Sequence, residues 1–195
     1  FLDLRGFTRI AASMSPLDTI DLLRAYQRVV VPVIHRHGGT ITTFLGDGIM
    51  VVFGGIRPSE DYAADAARAT TDLLAAFDVW ARSRVNDGAP LLAMGIGVEC
   101  GTVVCGPVGD EQRLELAVIG DPVNRAAKFQ THTKAEGVRA LISASAYARA
   151  LEQGYRREPA PPIRLRRDVE GLADPADLVV AGVLEGWQAM RVGPR

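Results

Sequence analysis

Two acidic residues carry the chemistry most directly. Asp3 lies in Phe1-Leu2-Asp3-Leu4-Arg5-Gly6-Phe7-Thr8, an apolar strand-like run that ends in a turn. Asp47 lies in Phe44-Leu45-Gly46-Asp47-Gly48-Ile49-Met50-Val51-Val52-Phe53, an acidic turn between two apolar runs. Backbone geometry fixes a carboxylate at a strand end, and a lone one in an apolar strand is costly unless paired or metal-bound. Two that face each other could hold two divalent cations about 3.5–4 Å apart, an arrangement that supports in-line displacement at phosphorus. Hard oxygen ligands favour Mg2+ or Mn2+. Gly-Asp-Gly alone is also an ordinary hairpin turn, so Asp47 gains meaning only beside Asp3.

Two further segments could serve the same chemistry. Gly6-Phe7-Thr8 joins a strand to a helical segment, where free backbone N–H groups can meet an anion. Asn124 and Lys128 lie four residues apart on a helix opened by Gly120-Asp121-Pro122, so they share a face.

The elements that must position these groups follow from periodicity and punctuation. Residues 1–4 read as a buried strand. Ser15-Pro16 starts a helix with Ile20, Leu23, Tyr26, Val30 and Ile34 at helical spacing, ended by His37-Gly38-Gly39. Residues 40–44 and 48–53 form a hairpin around Leu45-Gly46-Asp47, and a helix runs from about Glu60 to Val85. Strands are expected over 91–99, 101–108 and 113–118, then a helix over 121–133, a strand over 140–143 and a helix over 145–153. Pro159-Ala160-Pro161-Pro162 precedes strands near 163–169 and 177–184. This order predicts an α+β fold with an antiparallel-rich sheet and helices on one face. No linker divides the chain, so residues 1–195 read as one domain.

Composition limits the function classes. The 195 residues are 48% hydrophobic and 23% charged with formal charge −1, which gives no case for nucleic-acid binding. Arg164-Leu165-Arg166-Arg167 reads as a solvated strand edge. No apolar run approaches the roughly 20 residues of a membrane span and no signal peptide is evident. Cys100 and Cys105 read as buried thiols. The expectation is a cytoplasmic protein without membrane insertion. The chain opens inside its first strand with no Met, so an incomplete N-terminus is expected. His35, His37 and His132 lack metal-ligand spacing, and Trp80 and Trp187 read as packing residues.

Together Asp3, Asp47 and Val118-Ile119-Gly120-Asp121-Pro122-Val123-Asn124-Arg125-Ala126-Ala127-Lys128 resemble the catalytic domain of class III nucleotide cyclases over nearly the whole chain. The resemblance implies a ferredoxin-like core, a head-to-tail homodimer with shared active sites, and conversion of a nucleoside triphosphate to a 3′,5′-cyclic nucleotide and pyrophosphate. Asp3, Asp47 and the Leu4 carbonyl are then the inferred metal ligands. Gly6, Phe7 and Thr8 would meet the terminal phosphates. Asn124 would orient the ribose, and Lys128 would face the transition-state charge of the partner's site.

Four positions depart from the family. Lys128 stands where an Arg is usual, which keeps the charge and loses the planar fork. Thr43 and Ala117 occupy the base-reading places and match neither the adenine nor the guanine pair. Glu170 aligns with a triphosphate-binding Lys or Arg, for which Arg166 or Arg167 could substitute. Three readings result: a pyrimidine cyclase using UTP or CTP, as in bacterial anti-phage systems of the Pycsar type; a divergent adenylate cyclase; or a catalytically dead dimeric module. Retention of Asp3, Asp47 and Asn124 argues against the last.

Overall fold

A computed structural model describes residues 1–110 and 114–182. A seven-stranded sheet has the order β2-β3-β1-β4-β7-β9-β8, with β1 Leu2–Arg5, β2 Thr40–Leu45, β3 Gly48–Val52, β4 Ala93–Val98, β7 Ala140–Ser143, β8 Ile163–Arg167 and β9 Ala176–Gly182. β4 and β7 pair in parallel; the other neighbours run antiparallel. Strands β5 Val104–Gly109 and β6 Leu114–Ile119 form a separate two-stranded ribbon. The predicted antiparallel-rich α+β architecture is what the chain adopts. Arg113, Trp187 and the expected strand beyond Gly182 lie outside the described residues.

Five helices complete the order: α1 Phe7–Ala11, α2 Pro16–Arg36, α3 Tyr62–Asn86, α4 Asp121–His132 and α5 Ala144–Glu152. The start of α2 is as its sequence dictates: Ser15 is extended, its side chain accepts from the Asp18 N–H, and Pro16 fills the first turn. At α4 Asp121 is the first helical residue and Gly120 precedes it as the cap; a Cβ on Gly120 would lie 3.0 Å from the Thr102 carbonyl oxygen.

The helices do not all lie on one face, which corrects the expectation above. Leu2, Leu4, Met94, Ile96 and Ile142 face α2, α3 and α5 and share a core with Tyr26, Ile34, Phe77 and Tyr147. Leu141, Leu178 and Val180 face the other way and pack on Phe129 of α4. Two glycines of β4 admit α4 to that second face. A Cβ on Gly97 would fall onto the backbone of Ala126 and Gln130, and one on Gly95 would lie 2.9 Å from Gln130 Nε2 and Thr133 Oγ1. Trp80 does pack as expected, at 5.3 Å from Phe77 and 6.2 Å from Tyr26 between ring centroids.

Candidate active site

Asp3 stands in the middle of β1, between β3 and β4. Leu2 pairs with Ile49 and Asp3 with Gly95. Because side chains alternate, the buried Leu2 and Leu4 fix the face on which Asp3 emerges: the α4 face. Asp47 occupies the two-residue turn between Leu45 and Gly48, with Gly46 at φ 66°, a conformation glycine adopts without strain. The hairpin carries this turn back to β1. Asp3 Oδ1 lies 3.9 Å from the place a Cβ would take on Gly48. The Asp3 and Asp47 carboxyls come close enough for one, when protonated, to donate to the other.

That contact has an electrostatic consequence. Burial, the hydrogen bond to Asp47 and the Asp47 charge push the Asp3 carboxyl up from 3.8 to about 7. The Lys134 ammonium and a hydrogen bond with the Leu4 backbone pull the other way. Two hard-oxygen groups so close that the Asp3 carboxyl holds its proton well above the usual carboxylate range form a donor set that a divalent cation fits, since the cation can relieve their repulsion. Among the described residues no cluster of three or more acidic, His or Cys side chains adds further ligands. Gly6 has φ 75° and opens α1, whose first-turn N–H groups lack intrahelical partners.

Asn124 and Lys128 are both exposed on the outer face of α4. They line an open cleft of about 480 Å3 with Asp121, Arg125, Ala127 and the 171–174 turn. Neither Asp3 nor Asp47 belongs to that lining. Lys128 stretches over Gly171, where a Cβ would lie 2.5 Å from Nζ. Thr43 and Ala117 are half-buried on β2 and β6, two strands in contact.

Glu170 is exposed beside Gly171. Of the two arginines that could substitute for it, Arg167 donates to Glu136 Oε1 at 2.6 Å, and Arg164 also pairs with Glu136. Arg166 lines a different cleft with Arg125, Ser143 and Asp177. The basic stretch is therefore only partly a solvated edge: two of its arginines neutralise a buried carboxylate. Cys105 is exposed and Cys100 half-buried, so neither is the fully buried thiol expected.

Several residues at the site escaped the sequence reading. Glu99, whose side chain is 4% exposed, accepts from Arg125 Nε at 2.8 Å and from Ser143, and so pins the first half of α4. Lys134 and Gln130 stand at the other end of that helix, towards β4 and Asp3. The Gly-x-Gly spacing of Gly95 and Gly97 was the available signal, because glycines on one strand face mark a close approach.

The family model of the adenylate and guanylate cyclase catalytic domain matches residues 1–173. The chain belongs to this family. A guanylyl cyclase, Cya2, has a similar structure, with TM-score 0.79 and 31% identity over 95% of this chain and 91% of that one. The adenylyl cyclase CyaB from P. aeruginosa superposes with TM-score 0.78 at 23% identity, covering 91% of this chain and 88% of that one, a likeness of fold. An adenylate cyclase of Anabaena cylindrica is 35% identical over 146 residues, 74% of this chain and 29% of that protein. The uncharacterized Mycobacterium bovis protein Mb1352c is 36% identical over 156 residues, 78% of this chain and 27% of that protein. The chain thus spans under a third of the length of these two relatives. Class III cyclases generally use divalent metal ions. No helix among the described residues is long and apolar enough to cross a membrane.

Proposed function

We propose that this chain is a nucleotide cyclase that converts a nucleoside triphosphate to a 3′,5′-cyclic nucleotide and pyrophosphate at sites shared by two copies of the chain. The observation that carries the reading is the convergence of the Asp3 and Asp47 carboxyls on the α4 face of β1. Asp3, Asp47 and the Leu4 carbonyl would hold the divalent cations, Mg2+ or Mn2+. Bound there, such ions favour ionisation of the attacking 3′-hydroxyl and offset the charge of the departing pyrophosphate. Gly6, Phe7 and Thr8 offer backbone N–H groups to the terminal phosphates. Asn124 orients the ribose, and Lys128 places one positive charge against the transition state.

Asn124 and Lys128 line a cleft that excludes the acidic pair of their own chain, which supports their serving the partner's pair. The ribbon supports the dimer too. Val104, Val108, Leu114, Leu116 and Ile119 are exposed along it, an apolar surface of the kind that association covers.

Two readings of the base follow. The pyrimidine reading, with UTP or CTP and an anti-phage role, draws on Thr43 and Ala117, which supply neither purine pair. The adenine reading draws on the Anabaena relative named adenylate cyclase. Incubation of purified protein with ATP, GTP, CTP and UTP plus Mn2+, with products identified by mass spectrometry, tests both. Cyclic UMP or CMP supports the first reading and cyclic AMP the second. Nucleotide binding without any cyclic product overturns the cyclase assignment and leaves a dimeric nucleotide-binding module.

A further inference from the structure

The reaction as set out leaves one group on α4 unused. Gln130 is 8% exposed, and its Nε2 is buried with no hydrogen-bond partner. Leaving a buried donor in that state is destabilising. Thr131 Oγ1 donates to Gln130 Oε1 at 3.4 Å, which turns the nitrogen away from that side. Thr133 Oγ1 is already engaged with the Gln130 carbonyl oxygen. Nε2 points at β4, 2.9 Å from the place a Cβ would take on Gly95. Gly95 is the cross-strand partner of Asp3. Directly opposed Cβ positions lie about 4.5–5.5 Å apart on one face. The missing side chain at Gly95 therefore leaves room for the Gln130 amide on the face that carries Asp3.

We infer that Gln130 is a positioning residue for Asp3, its buried amide donating to the carboxylate across the gap at Gly95 when Asp3 exchanges its contact with Asp47 for a cation. This deepens the proposed cation site and rests on it. A carboxylate that ligates through one oxygen keeps acceptor capacity on the other. A donor held in place by a helix fixes which oxygen faces the ion. Removing such outer partners typically costs about 10–100-fold in metal affinity.

The test is Gln130→Met, which keeps the length of the side chain and removes the donor. Mn2+ affinity is measured by calorimetry on the full chain, and the melting temperature on the metal-free protein. A positioning donor gives weaker Mn2+ binding, about 10-fold or more, with an unchanged or higher melting temperature because an unpaired buried group has gone. Gly95→Ala places a methyl 2.9 Å from Gln130 Nε2, which displaces the amide without removing it, and gives the same loss of affinity. Asp3→Asn is the control. Retained Mn2+ binding in Asp3→Asn ends the cation-site reading and this inference with it. Lost binding there, with wild-type affinity in Gln130→Met, overturns the role of Gln130 alone. Should Gln130→Met not fold, wild-type Mn2+ affinity in Gly95→Ala overturns it equally.

Discussion

Asp3→Asn should make the metal-free protein more stable at alkaline pH while removing its capacity for cations. In the native chain the Asp3 carboxyl is pushed from 3.8 to about 7 by burial, by its hydrogen bond to Asp47 and by the Asp47 charge. A folded state that holds a proton more tightly than the unfolded chain loses stability as pH rises through the interval between the two values. Here that interval runs from about 4 to about 7. Its full width is worth about 4 kcal/mol without screening, and the half-buried setting of Asp3 reduces this to about 1–2 kcal/mol. An amide at position 3 mimics the protonated acid and can still donate to Asp47, so the variant escapes the loss. For a chain of this size, about 1 kcal/mol moves the melting temperature by about 2–4 °C. Thermal melts in EDTA should place Asp3→Asn about 2–8 °C above the wild type at pH 8, with the gap closing towards pH 4. Mn2+ should reverse the order at pH 8, since only the wild type gains stability from binding. A variant that melts at or below the wild type at pH 8 in EDTA, or a gap independent of pH, would refute the argument that these two carboxyls oppose each other.

The other predictions concern sharing, base choice and scaffolding. Asp47→Ala and Asn124→Ala should each be inactive, and mixing them should restore part of the activity through one intact interface site. Heterodimers that form without restored activity would contradict a shared site. Thr43→Lys with Ala117→Asp should raise kcat/KM for ATP over the other triphosphates, and unchanged selectivity would show that these positions do not face the base. Glu99→Gln leaves Arg125 with only the more distant, exposed Asp121 carboxylate at 3.9 Å and should cost about 1–3 kcal/mol, read as a lower denaturant midpoint. An unchanged midpoint would mean that the pair does not hold α4 in place.

Short-range features were legible because their chemistry is local. The Ser15-Pro16 helix start, the Gly46-Asp47 turn and the face shared by Asn124 and Lys128 follow from backbone propensity and helical period. So does the placing of Asp3 on the face opposite Leu2 and Leu4, because a strand alternates its side chains. Resemblance of three short motifs was enough to indicate the family, since they carry the charged groups that its chemistry needs.

What neighbours what across the sheet was not legible, because pairing between distant segments is set by packing of the whole chain. Only the register of β1 with β4 reveals that Asp3 faces Gly95, and only the seating of α4 on Gly95 and Gly97 brings Gln130 and Lys134 to that wall. The same packing puts α4 on the second face of the sheet, against an expectation drawn from element order alone. It also engages Arg167 with Glu136, which a count of basic residues treats as free charge. Sequence thus determined which groups are present and how each is locally held. Tertiary structure decided which of them meet, because burial and hydrogen bonding act between residues that the chain order keeps apart.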